Sequence, residues 1–504
     1  MPTLRDVAAL AGVSVATVSN VIHDTRRVSA ATRARVQAAA SELGYATVRA
    51  AASDGGESQA AGPKNVNADG GAEGDGHDGA ASPQPSGPAT PPPAFVAHHA
   101  PATFKAAGDF APSVNASRML LRLLRAAQPV SRVELARRLG VNRSTVTDTF
   151  KPLIAAGVVL EEAIQYDGAR HLGRPPAGLY FNTTRDFFVG VNLGVRRSQV
   201  GVGDLSGRII AEEEFETPRQ PAEALRLTRA AVEQVSAKAR DGRALRGVGV
   251  SVPGPTDAAR TRLLYAPHLG WHDVDVAGAL RFGSAAGDVP VVVENNATAA
   301  ALYEARLRLR DADSGLLNNF VLVRSGTGIG VGLVIGGEVY RGTGTGQGIA
   351  GEFGHMTIVA GGKPCVCGNR GCWERYASAS AAGSLYVGDR VQLGGQTAPR
   401  YVEIVARAEA GDLRARRTLE RVGEYLGIGI GNVIIGLGVP RVIVSGRVVH
   451  GWKYVGGPLR QAVAQGMAGK LAGWSVEPGE PGGASLGGAL EVAADSFLTS
   501  SLAA

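Results

Sequence analysis

The sequence predicts a multidomain chain in which two small helix-turn-helix modules, separated by an irregular linker, precede a large mixed α/β body. Three observations lead there. One 14-residue helical pattern occurs twice at a constant offset of 128; the stretch between the copies is almost free of large apolar side chains; and from about Asn182 short Val/Ile/Gly runs alternate with Ala-rich segments. A length of 504 residues accommodates about three domains of ~150 residues each. No apolar run approaches the ~20 residues that cross a bilayer, so no membrane partner is expected. Arg5 and Asp6 interrupt the apolar stretch an export signal would need, which predicts a cytoplasmic protein.

The first module, residues 1–47, carries Asp6 to Ser19, and its counterpart runs from Glu134 to Thr147. Each copy places a small residue on an apolar helix (Ala8, Ala136), then a glycine for a sharp turn (Gly12, Gly140). A polar residue follows (Ser14, Asn142) that can cap the exposed N–H groups of a second helix. Val18 and Val146 pin that second helix to the first. This is the pattern of a helix that enters the major groove of double-stranded DNA with its N-terminal side chains at base edges.

Charge agrees with that reading. Residues 1–50 hold 6 Lys/Arg against 3 Asp/Glu, and residues 113–181 hold 10 against 5. Basic blocks of this kind suit a phosphate backbone. The first copy resembles the DNA-binding head of the LacI family through Thr3 to Ala8, Gly12 to Ser19, Val28 to Val36 and Leu43 to Tyr45. The resemblance implies base contacts from Val15, Ala16 and Asn20, and phosphate contacts from Ser14, Thr17 and Ser19. The family's Pro-Asn and leucine-bearing hinge helix is replaced by Ala46-Thr-Val-Arg-Ala, so no minor-groove wedge is expected.

Residues 48–112 read as a flexible low-complexity linker. Between Ala51 and Pro112 there is no Leu, Ile, Met, Tyr or Trp, and such a stretch buries too little apolar area to offset its ordering entropy. Residues 113–181 read as a winged helix-turn-helix domain. Met119 to Leu124 supplies an apolar first helix, Pro152 to Leu160 ends the recognition helix and begins a hairpin, and Gly168 to Pro176 supplies the wing. Asn142, Arg143, Ser144 and Thr147 are the candidate groove-facing residues, with Arg170 and Arg174 for phosphates or the minor groove.

In the body, residues 182–504, Phe188 to Gly207 and Phe320 to Gly337 share one layout, a hairpin with a tight glycine-bearing turn. The strongest signal follows. All three cysteines of the chain fall between Cys365 and Cys372, ten residues after His355. His355, Cys365, Cys367 and Cys372 form a Cys3His set whose soft donors favour zinc and leave no open position, hence a structural ion.

Residues from about 113 to 500 resemble the ROK family of repressors and sugar kinases, through Val248 to Pro255, Glu294 to Glu304, Gly326 to Gly330, Gly351 to His355 and Cys365 to Ser378. The resemblance implies an actin-like (ribonuclease H-like) two-lobed α/β domain in which Asn295, Asn296, Glu352, His355 and Glu374 meet sugar hydroxyls. Departures select between the family's two activities. Asn296 stands where the kinases carry the aspartate that takes the proton of the attacking hydroxyl, and a neutral amide cannot do so. Asn192 replaces an acidic residue of the first phosphate loop, Arg447 stands in place of a glycine on the nucleotide side, and His268 replaces an asparagine. The expectation is a sugar-responsive repressor of carbohydrate genes, not an enzyme, working as a homodimer or higher homo-oligomer on a DNA operator. The alternative is a sugar kinase with appended DNA-binding domains; a constitutive DNA-binding protein with a degenerate body is the third.

Overall fold

The computed structural model describes residues 4–13, 17–18, 21, 30–42, 112–163, 177–284, 287–311, 318–342, 348–388, 398–470 and 473–503. The chain divides into two compact units, Met1–Ala100 and Pro101–Ala504. In the first, helix α1 (Leu4–Ala11) and helix α2 (Ala30–Glu42) enclose a core of Val7, Ala8, Ala11, Val18, Val21, Val36, Ala39 and Ala40. Gly12 turns the chain at φ 61°, a left-handed conformation that an L side chain resists.

The second unit begins with helix α3 (Pro112–Ala127), short strand β1 (Val130–Ser131), helix α4 (Arg132–Leu139) and helix α5 (Arg143–Ala155). The Ser131 hydroxyl caps α4 by accepting from Glu134 N at 3.2 Å, and Gly140 ends it at φ 64°. Asn142 starts α5 with extended backbone but makes no side-chain capping bond. The stretch from Pro152 to Leu160 ends α5 and leads into the hairpin, as the sequence suggested; Pro152 itself sits inside the last turn, which closes at Ala155. Its missing N–H removes only one late bond, and Leu153 in the same turn is buried. Strands β2 (Val159–Ala163) and β3 (Ala177–Phe181) pair antiparallel, and β1 joins the far edge of β3. Val146 and Phe150 are fully buried behind the recognition helix, each contributing about 1.5–3 kcal/mol of apolar transfer.

The body holds two five-stranded sheets of one design. The first comprises β4 (Asp186–Asn192), β5 (Arg197–Gly203), β6 (Ile209–Glu216), β7 (Ala244–Val252) and a strand at Val291–Asn295, in the order 291–295, β7, β4, β5, β6. Between β7 and that outer strand lie two ribbons, β8 (Arg262–Ala266) with β9 (Trp271–Asp275) and β10 (Phe282–Ser284) with β11 (Gly287–Val289), so the outer strand is β12. The second sheet comprises β13 (Phe320–Ser325), β14 (Ile329–Ile335), β15 (Glu338–Tyr340), β16 (Arg441–Ser445) and β17 (Ser475–Pro478), in the order β17, β16, β13, β14, β15. Read in these orders, both sheets run parallel, parallel, antiparallel, antiparallel. The two hairpins that looked alike in sequence, β4–β5 and β13–β14, occupy equivalent places. Helix α6 (Pro221–Ala239) covers the first sheet; helices α8 (Ala379–Val387), α9 (Tyr401–Glu409), α10 (Leu413–Leu437) and α11 (Trp452–Gln465) cover the second.

Two helices cross between the lobes. Helix α7 (Asn296–Asp311) leaves the first sheet and packs its Ala299–Leu302 stretch on Phe320, Leu322 and Val334 of the second. Helix α12 (Ala484–Ala503) leaves the second and lies on the first, so closely that a Cβ on Gly249 would stand 2.1 Å from Ala489 O. Only glycine fits there. The winged segment is also part of this body: Leu120, Leu124, Phe150 and Phe181 share one core with Phe188, Leu309, Leu490, Ala493 and Leu498. Charges reinforce the seam. Arg122 of α3 donates to Asp495 Oδ1 at 2.9 Å, to Gly337 O at 2.6 Å and to Glu338 Oε2 at 3.2 Å, while Arg125 pairs with Glu491. No helix among the described residues is long and apolar enough to cross a membrane.

Candidate functional site

A cleft of about 520 Å³ opens where the parallel strands of both sheets end, the position at which open α/β sheets gather ligand-binding loops. All five sequence-predicted sugar-binding residues, Asn295, Asn296, Glu352, His355 and Glu374, line it. Asn295 is heavily committed. Its Oδ1 accepts from Ala297 N at 2.8 Å and Thr298 N at 3.3 Å, which caps α7, and its Nδ2 donates to Gly254 O and to Glu352 Oε1, each at 3.2 Å. Asn296 begins α7 and faces the same space as a neutral amide.

The two carboxylates differ electrostatically. Burial pushes Glu352 up to about 7, and the nearby Glu374 charge adds to the rise. For Glu374 burial also opposes charge, but the bond from His268, at 3.3 Å, and the neighbouring His355 outweigh it and hold the group below its ordinary value. A half-buried carboxyl group thus stands beside a buried carboxylate, an arrangement suited to directional bonds with hydroxyl groups.

The thiol cluster adjoins the cleft. A short 3-10 turn, Glu352–His355, delivers His355; the following loop delivers the three cysteines, with Gly368 at φ 91° and Gly371 at φ 78° making its turns. The four donor atoms lie within 4.8 Å of one another, with His355 Nδ1 3.6 Å from Cys365 Sγ and Cys367 Sγ 3.7 Å from Cys372 Sγ. A tetrahedron built on ~2.3 Å zinc–sulfur bonds has edges of about 3.8 Å, so the donor set fits that ion. Burial, the largest influence, raises the Cys365 and Cys372 thiols above their ordinary values, and a divalent cation supplies the compensation that thiolates would need there. His355 Nε2 faces Glu352 Oε2 at 3.9 Å, and Cys365 Sγ lies 3.1 Å from Glu374 Oε1, so the cluster borders both cleft carboxylates.

On α5, Asn142, Arg143, Ser144 and Thr147 are all exposed, opposite the buried Val146, Thr149, Phe150 and Leu153. Thr147 turns its hydroxyl back to Arg143 O at 3.0 Å. In the first unit Thr17 is half-buried beside the fully buried Val18. Ser14, Val15, Ala16, Ser19 and Asn20 lie outside the described residues, as do Arg170, Arg174 and nearly all of the linker. Sequence reasoning missed two cleft residues, Arg324 and Ser485, which bond each other at 2.7 Å. They are 161 positions apart, and no local pattern joins them.

Comparison with known proteins supplies a frame for this geometry. The pattern described as "ROK family" matches residues 188–495, that of "Bacterial regulatory proteins, lacI family" matches residues 3–47, and a "Helix-turn-helix domain" pattern matches residues 116–162. A xylose repressor of Bacillus spizizenii is 30% identical over 358 residues, covering 70% of this chain and 88% of its own. A glucokinase of Halalkalibacterium halodurans is 28% identical over 288 residues, 55% of this chain and 84% of its own. A crystal structure described as a ROK family transcriptional regulator, homologous to the E. coli MLC protein, superposes with a TM-score of 0.61 at 24% identity, covering 77% of this chain and 97% of that one. That likeness shows the two-lobed fold.

Proposed function

We propose, from the premise that the chain belongs to the ROK family, that it is a sugar-responsive transcriptional repressor whose two-lobed domain binds its effector without phosphorylating it. The observation that carries this reading is helix α12. Its first turn lines the cleft at Ala484 and Ser485, and its later turns, at Leu490, Ala493 and Leu498, lie in the core that supports the recognition helix. A ligand that favours one setting of this helix shifts the population of DNA-reading conformations, provided it binds the two settings with different affinity.

In this reading Asn295, Asn296, Glu352, His355 and Glu374 hold the sugar, and Asn296 leaves the attacking hydroxyl without a general base at that position. His355, Cys365, Cys367 and Cys372 hold a structural zinc, which fixes the loop carrying Glu374. Residues 113–181 read an operator through Asn142, Arg143, Ser144, Thr147, Arg170 and Arg174. The head at residues 1–47 reads DNA through Ser14, Val15, Ala16, Thr17, Ser19 and Asn20, tethered by residues 48–112. A homodimer places paired recognition helices on two half-sites.

Fluorescence anisotropy of the full chain on its own upstream DNA, at fixed salt and with a panel of monosaccharides and sugar phosphates, tests the proposal. One sugar is expected to change the affinity; specific binding indifferent to every sugar refutes the sensor. ATP-dependent phosphorylation of a hexose at enzymatic rates refutes the non-catalytic reading. Deleting residues 1–112 without altering footprint or affinity removes the first head from the mechanism.

A further inference from the structure

The cleft has two chemically opposite ends. Glu352, Glu374, His268 and His355 gather at one; Arg196, Arg324 and Arg447 gather at the other. Arg324 Nη1 and Arg447 Nη2 stand 3.8 and 3.9 Å from the point where a side chain on Gly326 would begin. The remaining cleft arginines are paired, Arg197 with Glu214 and Arg400 with Glu403. Among the described residues Arg196, Arg324 and Arg447 form no ion pair. Arg324 and Arg447 donate instead to hydroxyls, Arg324 to Ser485 Oγ at 2.7 Å and Arg447 to Thr327 Oγ1 at 2.9 Å, and Arg324 Nε is buried without a partner.

Like charges gathered in a partly dry cleft repel one another unless an anion joins them. Their guanidinium groups register this. Burial first, and then the Arg447 charge, brings Arg324 down to about 10, and Arg447 is lowered by burial and by Arg196.

We propose that Arg196, Arg324 and Arg447, with Thr327 and Ser485, bind the phosphate group of the cleft's ligand, so that the effector is a sugar phosphate. This rests on the sugar-binding reading of the other end. The two ends are close. Gly328, two residues after Gly326, borders Glu374 Oε2 and His268 Nε2, and two residues of chain span at most about 7 Å. One sugar-sized molecule therefore reaches the carboxylates with its hydroxyls and the arginines with its phosphate. Planar guanidinium forks suit phosphate oxygens. Ser485 stands in the first turn of α12, so the anion also meets the favourable end of that helix dipole.

The test is calorimetric titration of the full-length protein with inorganic phosphate at constant ionic strength and without magnesium, followed by displacement with glucose 6-phosphate, glucose or ADP. Saturable phosphate binding, displaced by the sugar phosphate and weakened at least about tenfold in Arg447→Gln and in Arg324→Gln, supports the site. Arg447 is exposed, so its variant stays informative should the half-buried Arg324 be needed for folding. Absence of phosphate binding, or binding unchanged in Arg447→Gln, overturns the site. Phosphate displaced by ADP but by no sugar phosphate overturns the ligand class. Binding of a neutral sugar with no response to phosphate overturns this proposal while the sugar-sensor reading stands.

Discussion

Glu491 is the point at which the winged domain is most deeply tied to the body. Its carboxylate is buried, with 6% of its surface exposed, between Arg125 of α3 and Arg306 of α7, whose Nε lies 2.6 Å from Oε1. Glu491→Ala leaves both guanidinium groups in place. Arg125 keeps one bond, from Nε to Leu205 O at 2.7 Å, and the charge it shared with Glu491 becomes uncompensated. Removing one partner of a buried pair costs about 3–5 kcal/mol, which multiplies the population of the opened seam by about 150-fold or more. Amide hydrogen exchange reads that opening directly, because local unfolding exposes the helix amides without melting the remainder. The expectation is a loss of protection of about two orders of magnitude across residues 112–127, with β13 to β17 unchanged, and a smaller loss in Glu491→Gln, which keeps a hydrogen-bond acceptor. Exchange in α3 at the wild-type rate in Glu491→Ala would refute the reasoning.

Three further outcomes follow from the same coordinates. Chelation is expected to release a single equivalent of zinc, to make Cys365, Cys367 and Cys372 reactive toward a thiol reagent and to lower the melting temperature; metal analysis showing no bound zinc in the purified protein discards the site. Arg143→Ala is expected to weaken operator binding and reduce the slope of log affinity against log salt by about 1, measured by anisotropy at several salt concentrations; an unchanged slope removes Arg143 from the phosphate contacts. Asp495 is held below its ordinary value, because the Arg122 charge and hydrogen bond outweigh the burial that opposes ionisation. Its folded-state value therefore lies below the unfolded one, so its stabilisation is complete above about pH 4 and is lost as pH falls through the folded value. Acid should loosen the α3–α12 seam less in Asp495→Asn than in the wild type, by exchange across a pH series.

Legibility followed distance along the chain. The turns at Gly12 and Gly140, the buried Val18 and Val146 and the cluster from His355 to Cys372 were readable because backbone preference and ligand spacing act within a few residues. The paired hairpins were readable for the same reason. Asn142 marks the limit even locally: it starts a helix without the side-chain capping bond that its residue type offers. The buried Val146, Phe150 and Leu153 anchor that helix without the cap, whose bond is worth about 1 kcal/mol.

The sequence by itself determined that two helix-turn-helix segments precede a two-lobed body, which five residues line the cleft and where the cluster of soft donor atoms forms. Tertiary structure decided the rest. Arg122 meets Asp495 across 373 positions, Arg447 meets Thr327 across 120, and one core encloses both the winged segment and the last helix of the body. These contacts have no short-range signature, because they exist only once two sheets have exchanged the helices α7 and α12 and brought distant strand ends to one cleft.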